Sequence, residues 1–434
     1  MCKYSTNQPH FKKKLTNFAT IMKYNTIRLE NGLRIIHLPS SSLVVYCGYG
    51  INAGTANEEA GEEGIAHFCE HATFKGTQQR SSLDIINCLE SVGGDLNAYT
   101  TKTATVYHSA ILKEHFPLAA DLLSDIVFRS IYPQKEIDKE VEVICDEIES
   151  YNDSPAELIY DEFENLLFRN HPLGHSILGT AERVRSFKSE DARRFTDRFY
   201  RPENSVFFIY GDVDFSETVD LLKRYTANVQ RTSPFTPLED ATAAVEAEHL
   251  YHPANITIRK KTHQAHVMIG NRAYNVHDKK RIVLYLLNNV LGGPGMSARL
   301  NLSLREEHGL VYTVESFMTA YSTTGMWGIY FGCDPKDVKQ CTKLVRQELD
   351  RFMNVPLSDE KLKLAKQQIK GQIGIAEDNR ENFALGFCRS FLHFGWEKHT
   401  EKLYEQIDAI TAEQIQQVAR EIFREEELTT LVYK

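Results

Sequence analysis

The chain lacks any long hydrophobic run. None of its 434 residues fall in a stretch approaching the ~20 apolar residues that span a bilayer, so no transmembrane helix is expected. It also lacks positive charge in surplus. With 50 Lys and Arg against 59 Asp and Glu, the net charge of −9 argues against a nucleic-acid partner. Paired cysteines are missing too: Cys2, Cys47, Cys69, Cys88, Cys145, Cys333, Cys341 and Cys388 stand singly, with no CxxC among them. They read as reduced, mostly buried thiols, and a cytoplasmic location is the natural expectation. Residues 1–21 hold no apolar stretch of the secretory kind. They are basic and acid-free, as transit peptides are, but contain no Arg. A disordered leader is therefore expected, with an organelle matrix as the alternative location if the leader is a transit peptide.

What is present is a globular composition, 42% hydrophobic and 25% charged, on a chain too long for one ordinary core. After the leader, TIRLENGLRIIHLP carries two alternating apolar runs around Asn31-Gly32, a hairpin pattern. LVVYCGYGINAG (43–54) and VFFIYGDVD (206–214) read as buried strands, and NAYTTKTATVYHSAIL (97–112) as a strand pair or one long strand. SLDIINCLESVGG (82–94) predicts a helix stopped by Gly93-Gly94, and residues 115–131 and 134–151 predict two more around Pro133. Residues 226–254, rich in Pro, Ser, Thr and Ala/Glu, read as a linker. Beyond it the order recurs: a strand at 263–274, a helix at 280–293, two strands within 313–333, and helices around 336–353 and 358–377. A slide of about 224 residues superposes the two series, which predicts an internal duplication. Under that slide His67, Glu70, His71 and Glu147 fall on Leu291, Pro294, Gly295 and Gly371, so chemistry is expected in the first half alone.

That chemistry centres on GIAHFCEHATFKG (64–76). Positions i, i+3 and i+4 of a helix share a face, which groups His67, Glu70 and His71 and leaves Ile65, Phe68, Cys69 and Ala72 as the apolar side. Two neutral imidazoles can bind Zn²⁺ from one helix face, and a neighbouring carboxylate can accept a proton from water. Cys69 points away and is not counted as a ligand. A third ligand must come from elsewhere. KEVEVICDEIESYNDSP offers Glu140, Glu142, Asp146, Glu147 and Glu149, and spacing alone does not choose among them.

The order His-x-x-Glu-His, together with GTANEEAGEEGIAHFCEHATFKGT, GGDLNAYTTKTATVYH, HPLGHSILGT, YRPENSVFFIYGDVD and LREEHGLVYTVESF, resembles the pitrilysin/insulinase family of inverzincin zinc peptidases. The likeness is to its short-chain branch, which includes the mitochondrial processing peptidase, and covers essentially the whole chain after the leader. It implies an α+β fold of two homologous halves, each a mostly antiparallel sheet with helices packed on it. Residues 22–225 would be the catalytic half and 255–434 a degenerate repeat without the ligands. The resemblance assigns His67, His71 and Glu147 as zinc ligands, one ion per chain, Glu70 as general base and Glu140 as a carboxylate that orients a ligand. Asn97, Ala98 and Tyr99 would hold an extended substrate, and Arg305 and Tyr312 would grip the substrate carbonyl and stabilise the oxyanion. Without it, Arg305 reads as a helix-surface charge and Tyr312 as a core aromatic.

The implied activity is that of a zinc metalloendopeptidase cutting extended or unfolded oligopeptides. A single unit of this length implies a homodimer, with Arg305 and Tyr312 acting in trans, or a heterodimer with an inactive homologue. The alternative is a non-catalytic structural or peptide-binding subunit of the same fold. Other features read as structural. His263 and His266 lie on opposite faces of a strand, His171 and His175 flank a loop, and LGGPGMSARL (291–300) lacks the Lys-Ser/Thr of a phosphate loop and reads as a helix end or interdomain turn.

Overall fold

The computed structural model describes residues 23–227, 229, 251–260 and 262–434. The expected leader, and the linker between residues 230 and 250, lie outside the described residues. Among the described residues no helix is long and apolar enough to cross a membrane.

The Asn31-Gly32 turn joins β1 (Asn25–Arg28) to β2 (Arg34–Pro39), with Arg28 opposite Arg34. These strands enter a sheet with β3 (Val44–Ile51), β4 (Asn97–Thr100), β5 (Thr105–Leu112) and β6 (Ser205–Gly211), in the order β1-β2-β6-β3-β5-β4. The second sheet holds β7 (Asn255–Ile258), β8 (Ala265–Ala273), β9 (Val311–Ala320), β10 (Gly325–Cys333) and β11 (Thr429–Tyr433), in the order β7-β11-β8-β10-β9. Setting the N-terminal hairpin strand β1 aside, the two orders are the same. Each sheet has one parallel pair, β2 with β6 and β11 with β7, and is otherwise antiparallel. The fold is α+β, built from two like halves. The helix pair Gln134–Asn152 and Asp359–Glu377 repeats with it. One detail differs from expectation: β8 starts at Ala265, so His263 precedes the strand, while His266 lies within it, 2.9 Å from the Tyr330 hydroxyl.

The halves exchange helices. Helix Arg380–Phe394, late in the chain, packs Phe383, Phe387, Cys388 and Leu392 on the face of the first sheet formed by Ile36, Val206 and Phe208. Helix Pro155–Leu167, from the first half, packs Ile159, Phe163 and Leu167 against Met268, Tyr330 and Leu431 of the second sheet. Each sheet therefore has one face closed by helices of its own half and the other by a helix of its counterpart, which buries both faces.

Phe387 is fully buried and meets Tyr24, Phe208 and Tyr210 edge-on. Phe387→Ala should therefore destabilise the first half from outside its own sequence, by about 3–5 kcal/mol. Urea denaturation followed by tryptophan fluorescence and circular dichroism checks this. The two probes should shift together.

Candidate metal centre

The motif helix, Ile65–Thr73, is set by its two faces. Ile65, Phe68, Cys69 and Ala72 are fully buried in the first core, with Cys69 Sγ turned towards the Ala192 carbonyl and away from the other face. Gly64, at φ +95°, starts the helix, and a Cβ there would meet the Leu178 carbonyl at 2.8 Å. The helix N-terminus is held by a carboxylate from outside it. Glu58 accepts from the Gly64 amide at 2.9 Å and the Ala66 amide at 2.8 Å, and His175 Nε2 lies 2.9 Å from the same carboxylate. An acceptor at this end satisfies free N–H groups and suits the helix dipole. His175 thus belongs to the scaffold of the centre, as a support and not as a ligand.

The acidic helix, Gln134–Asn152, buries Ile137, Val141, Ile144, Cys145 and Ile148 and crosses the motif helix. Of its five candidate acids, two face the imidazoles. Glu147 Oε2 lies 3.4 Å from His71 Nε2 and 3.7 Å from His67 Nε2. Glu140 Oε1 accepts from His71 Nδ1 at 2.9 Å, while its other oxygen meets Lys75 Nζ at 2.6 Å. Glu142 instead pairs with Arg185 at 3.3 Å.

This arrangement fits a cation. One ligand atom each of His67, His71 and Glu147 all lie within 4.8 Å of one another. The two Nε2–Oε2 separations exceed the ~2.9 Å of a good hydrogen bond and lie somewhat above the ~3.3 Å edge of a tetrahedron with zinc–ligand bonds near 2.05 Å. The Glu140 bond fixes the proton on His71 Nδ1 and frees Nε2 for a metal. Burial opposes protonation of His71, yet bonding to Glu140 and Glu147 lifts it to about 9, which marks a site that favours positive charge. Burial and the adjacent His71 lower His67 to about 4, leaving it a neutral imidazole. Hydrogen bonding to His71 holds the half-exposed Glu147 below the usual carboxylate range.

Glu70 stands on the same helix face, buried, with one oxygen accepting from Thr100 Oγ1 at 2.5 Å. Burial raises its carboxyl above the usual range, against the pull of that hydrogen bond. Glu70 and the three donors line a cavity of about 370 Å³ with Ala98, Tyr99, Thr100, Tyr151, Asp161 and the segment 176–178. Asn97 lies at the exposed start of β4 and does not line it. β4 is the last strand of its sheet, so one edge is open for a further strand.

Arg305 and Tyr312 line a different cavity, about 790 Å³, in the second half, beside the turn Gly292–Met296. The guanidinium lies 5.5 Å from the Tyr312 ring centre. Tyr312 is 80% exposed, so it is no core aromatic. Within one chain these two residues do not join the metal centre.

Thr100, Tyr151 and the 176–178 segment escaped the sequence reading. Thr100 ends the NAYT strand one residue past those singled out, and residues 176–178 sit inside the conspicuous HPLGHSILGT stretch.

Removing the carboxylate that orients His71 should loosen the centre without dismantling it. Glu140→Ala is expected to lower zinc affinity about 10–100-fold, measured by chelator competition. His71→Ala should lose more.

Residues 36–181 match the family described as Insulinase (Peptidase family M16), and residues 186–369 match the Peptidase M16 inactive domain. An uncharacterized zinc protease of Bacillus subtilis, YmxG, is 30% identical over 405 residues, covering 93% of this chain and 96% of the relative. An uncharacterized zinc protease of Streptomyces coelicolor is 31% identical over 399 residues, covering 91% of this chain and 86% of that one. A Helicobacter pylori protease of known structure shares the fold with a TM-score of 0.86 at 20% identity, covering 95% of this chain and 100% of the other. The peptidase M16 inactive domain from Pseudomonas fluorescens does so with a TM-score of 0.85 at 17% identity, covering 95% and 98%. With both halves matched in sequence and the ligand set intact in the first, this chain belongs to the insulinase (M16) family of zinc protease-like proteins.

Proposed function

We propose that the protein is a zinc-dependent endopeptidase acting on extended or unfolded oligopeptides, with residues 22–225 as the catalytic half and 255–434 as a degenerate partner half. The observation that carries this reading is the meeting of His67, His71 and Glu147 beside a buried Glu70, all facing one cavity. A structural subunit has no need to keep the four together.

His67, His71 and Glu147 would hold a zinc ion, which would supply Lewis acidity towards a carbonyl and towards water. Glu70 takes the proton of the attacking water and returns it to the leaving amine. Its raised carboxyl suits both steps, and Thr100 holds it in one orientation. Ala98 and Tyr99 align the substrate as an added strand on the open edge of β4, with Asn97 at its entrance. Main-chain hydrogen bonds then supply much of the affinity, which favours unfolded substrates and broad selectivity. Arg305 and Tyr312 act on a second copy, in a homodimer, where the guanidinium grips a substrate carbonyl and the phenol stabilises the developing oxyanion. The exposure of Tyr312 supports a role against something outside its own chain. The seven described cysteines are all free, which favours a reducing cytoplasm.

Glu70→Gln should keep zinc and lose cleavage of an unstructured peptide, whereas a metal-binding subunit would show zinc and no cleavage in the wild type. Mixing Glu70→Gln with Tyr312→Phe, each nearly inactive alone, should restore about one quarter of wild-type activity, because half of the dimers then hold one intact composite site. Mixing without recovery, or a purified chain that is a monomer by size-exclusion with mass analysis, would reject the homodimeric trans site and turn attention to an inactive homologue as partner.

A further inference from the structure

A cavity well away from the metal centre measures about 850 Å³ and opens between the first turns of helices Lys280–Gly292 and Thr400–Asp408. Its charged lining is Arg281, Lys398, Lys402 and the His399–Glu397 pair, whose atoms are 3.2 Å apart. Glu397 is the one carboxylate in the lining, set against three cationic side chains.

The cations are under-compensated. Lys280, Arg281 and the preceding Lys279 stand at the positive end of a helix dipole, where basic side chains are unfavourable, and Asp278 supplies one carboxylate there, accepting from the Lys280 amide at 2.8 Å. Lys280 is answered by Glu421 at 2.8 Å. Arg281 is not: among the described residues its guanidinium has no hydrogen bond or ion pair, its Nε is buried without a partner, and burial alone shifts it. Lys398 rests on the Phe383 ring at 4.4 Å, and Lys402 has no described ion pair. Glu377 lies close enough to act on Lys398 and Glu397 shares the lining, yet neither meets the Arg281 guanidinium. Violations of local electrostatics are expected where a ligand supplies the missing charge.

The cavity walls indicate the ligand's size. Ile282, Met318, Leu403 and the 43% exposed Trp396 give apolar surface, and Tyr285, Lys398 and Leu403 also line the cavity of Arg305 and Tyr312. A site this large and partly apolar suits several residues of a peptide better than a small inorganic ion. We propose that this cavity binds an acidic peptide segment, with Arg281, Lys398 and Lys402 receiving its carboxylates. The assignment rests on the peptidase reading and deepens it by naming a substrate class.

The test uses full-length Glu70→Gln protein, so bound peptide is not cut, and isothermal titration calorimetry. The probes are an unstructured peptide with a run of glutamates and its all-glutamine counterpart. The glutamate peptide should bind at least about tenfold more tightly, and Arg281→Gln/Lys402→Gln should abolish that preference. Lys402 is exposed, so Lys402→Glu alone should weaken glutamate-peptide binding with an unchanged melting curve. Binding should also alter Trp396 emission, a signal lost in Trp396→Phe. Equal binding of the two peptides, no binding, or full affinity in the double variant overturns the proposal, as does inorganic phosphate competing as tightly as the peptide. Cleavage of a neutral peptide by the wild type is scored separately. If it persists while glutamate binding fails, the cavity assignment falls alone; if glutamate binding persists without cleavage, the peptidase reading falls alone.

Discussion

The crossing of two helices is the constraint on which the site depends. The motif helix alone offers two imidazoles and a carboxylate on one face. The acidic helix alone is an amphipathic rod with a charged side. Only their packing, through Phe68 and Ala72 on one and Ile144 and Ile148 on the other within a single core, sets Glu147 opposite both Nε2 atoms and Glu140 behind His71. A shift of one helical position would put the shorter Asp146 or the apolar Ile148 in the place of Glu147, and the reach to both Nε2 atoms would be lost. The site's supports serve this crossing. Glu58 and His175 hold the start of the motif helix, Lys75 holds Glu140, and Tyr107 reaches Thr73 at the helix's far end, 3.1 Å away.

Duplication explains both what the second half shares and what it lacks. The same strand order carries an open edge at β4 in one sheet and at β9 in the other. The first edge borders the metal centre. The second borders the cavity of Arg305 and Tyr312, where Pro294, Gly295 and Gly371 stand at the positions of Glu70, His71 and Glu147. Its exposed Tyr312 and under-compensated cations at the far end are features that a merely vestigial half would not need to retain.

Much of this was legible in the sequence, for reasons that differ residue by residue. The hairpin at Asn31-Gly32 and the strand pair from Asn97 follow from local turn chemistry and alternation. The grouping of His67, Glu70 and His71 follows from helical spacing alone. Choosing Glu147 among five acids did not, because the choice depends on how two helices cross, and only family likeness supplied it. The exchanged helices were invisible for a related reason. An amphipathic pattern in 155–167 or 380–394 announces that one face is covered without saying which sheet covers it. That Arg281 Nε is buried without a partner among the described residues was hidden too, since a sequence shows charges but not which of them find partners.

The exchange of helices also bears on how such a molecule can be divided. Severed between its two sheets, the chain would give two pieces that each bare a greasy sheet face, one without Phe387 and the other without Phe163. Neither piece is a self-sufficient module. The portion that carries the metal centre could not travel as an independent cassette without the late helix that seals its sheet.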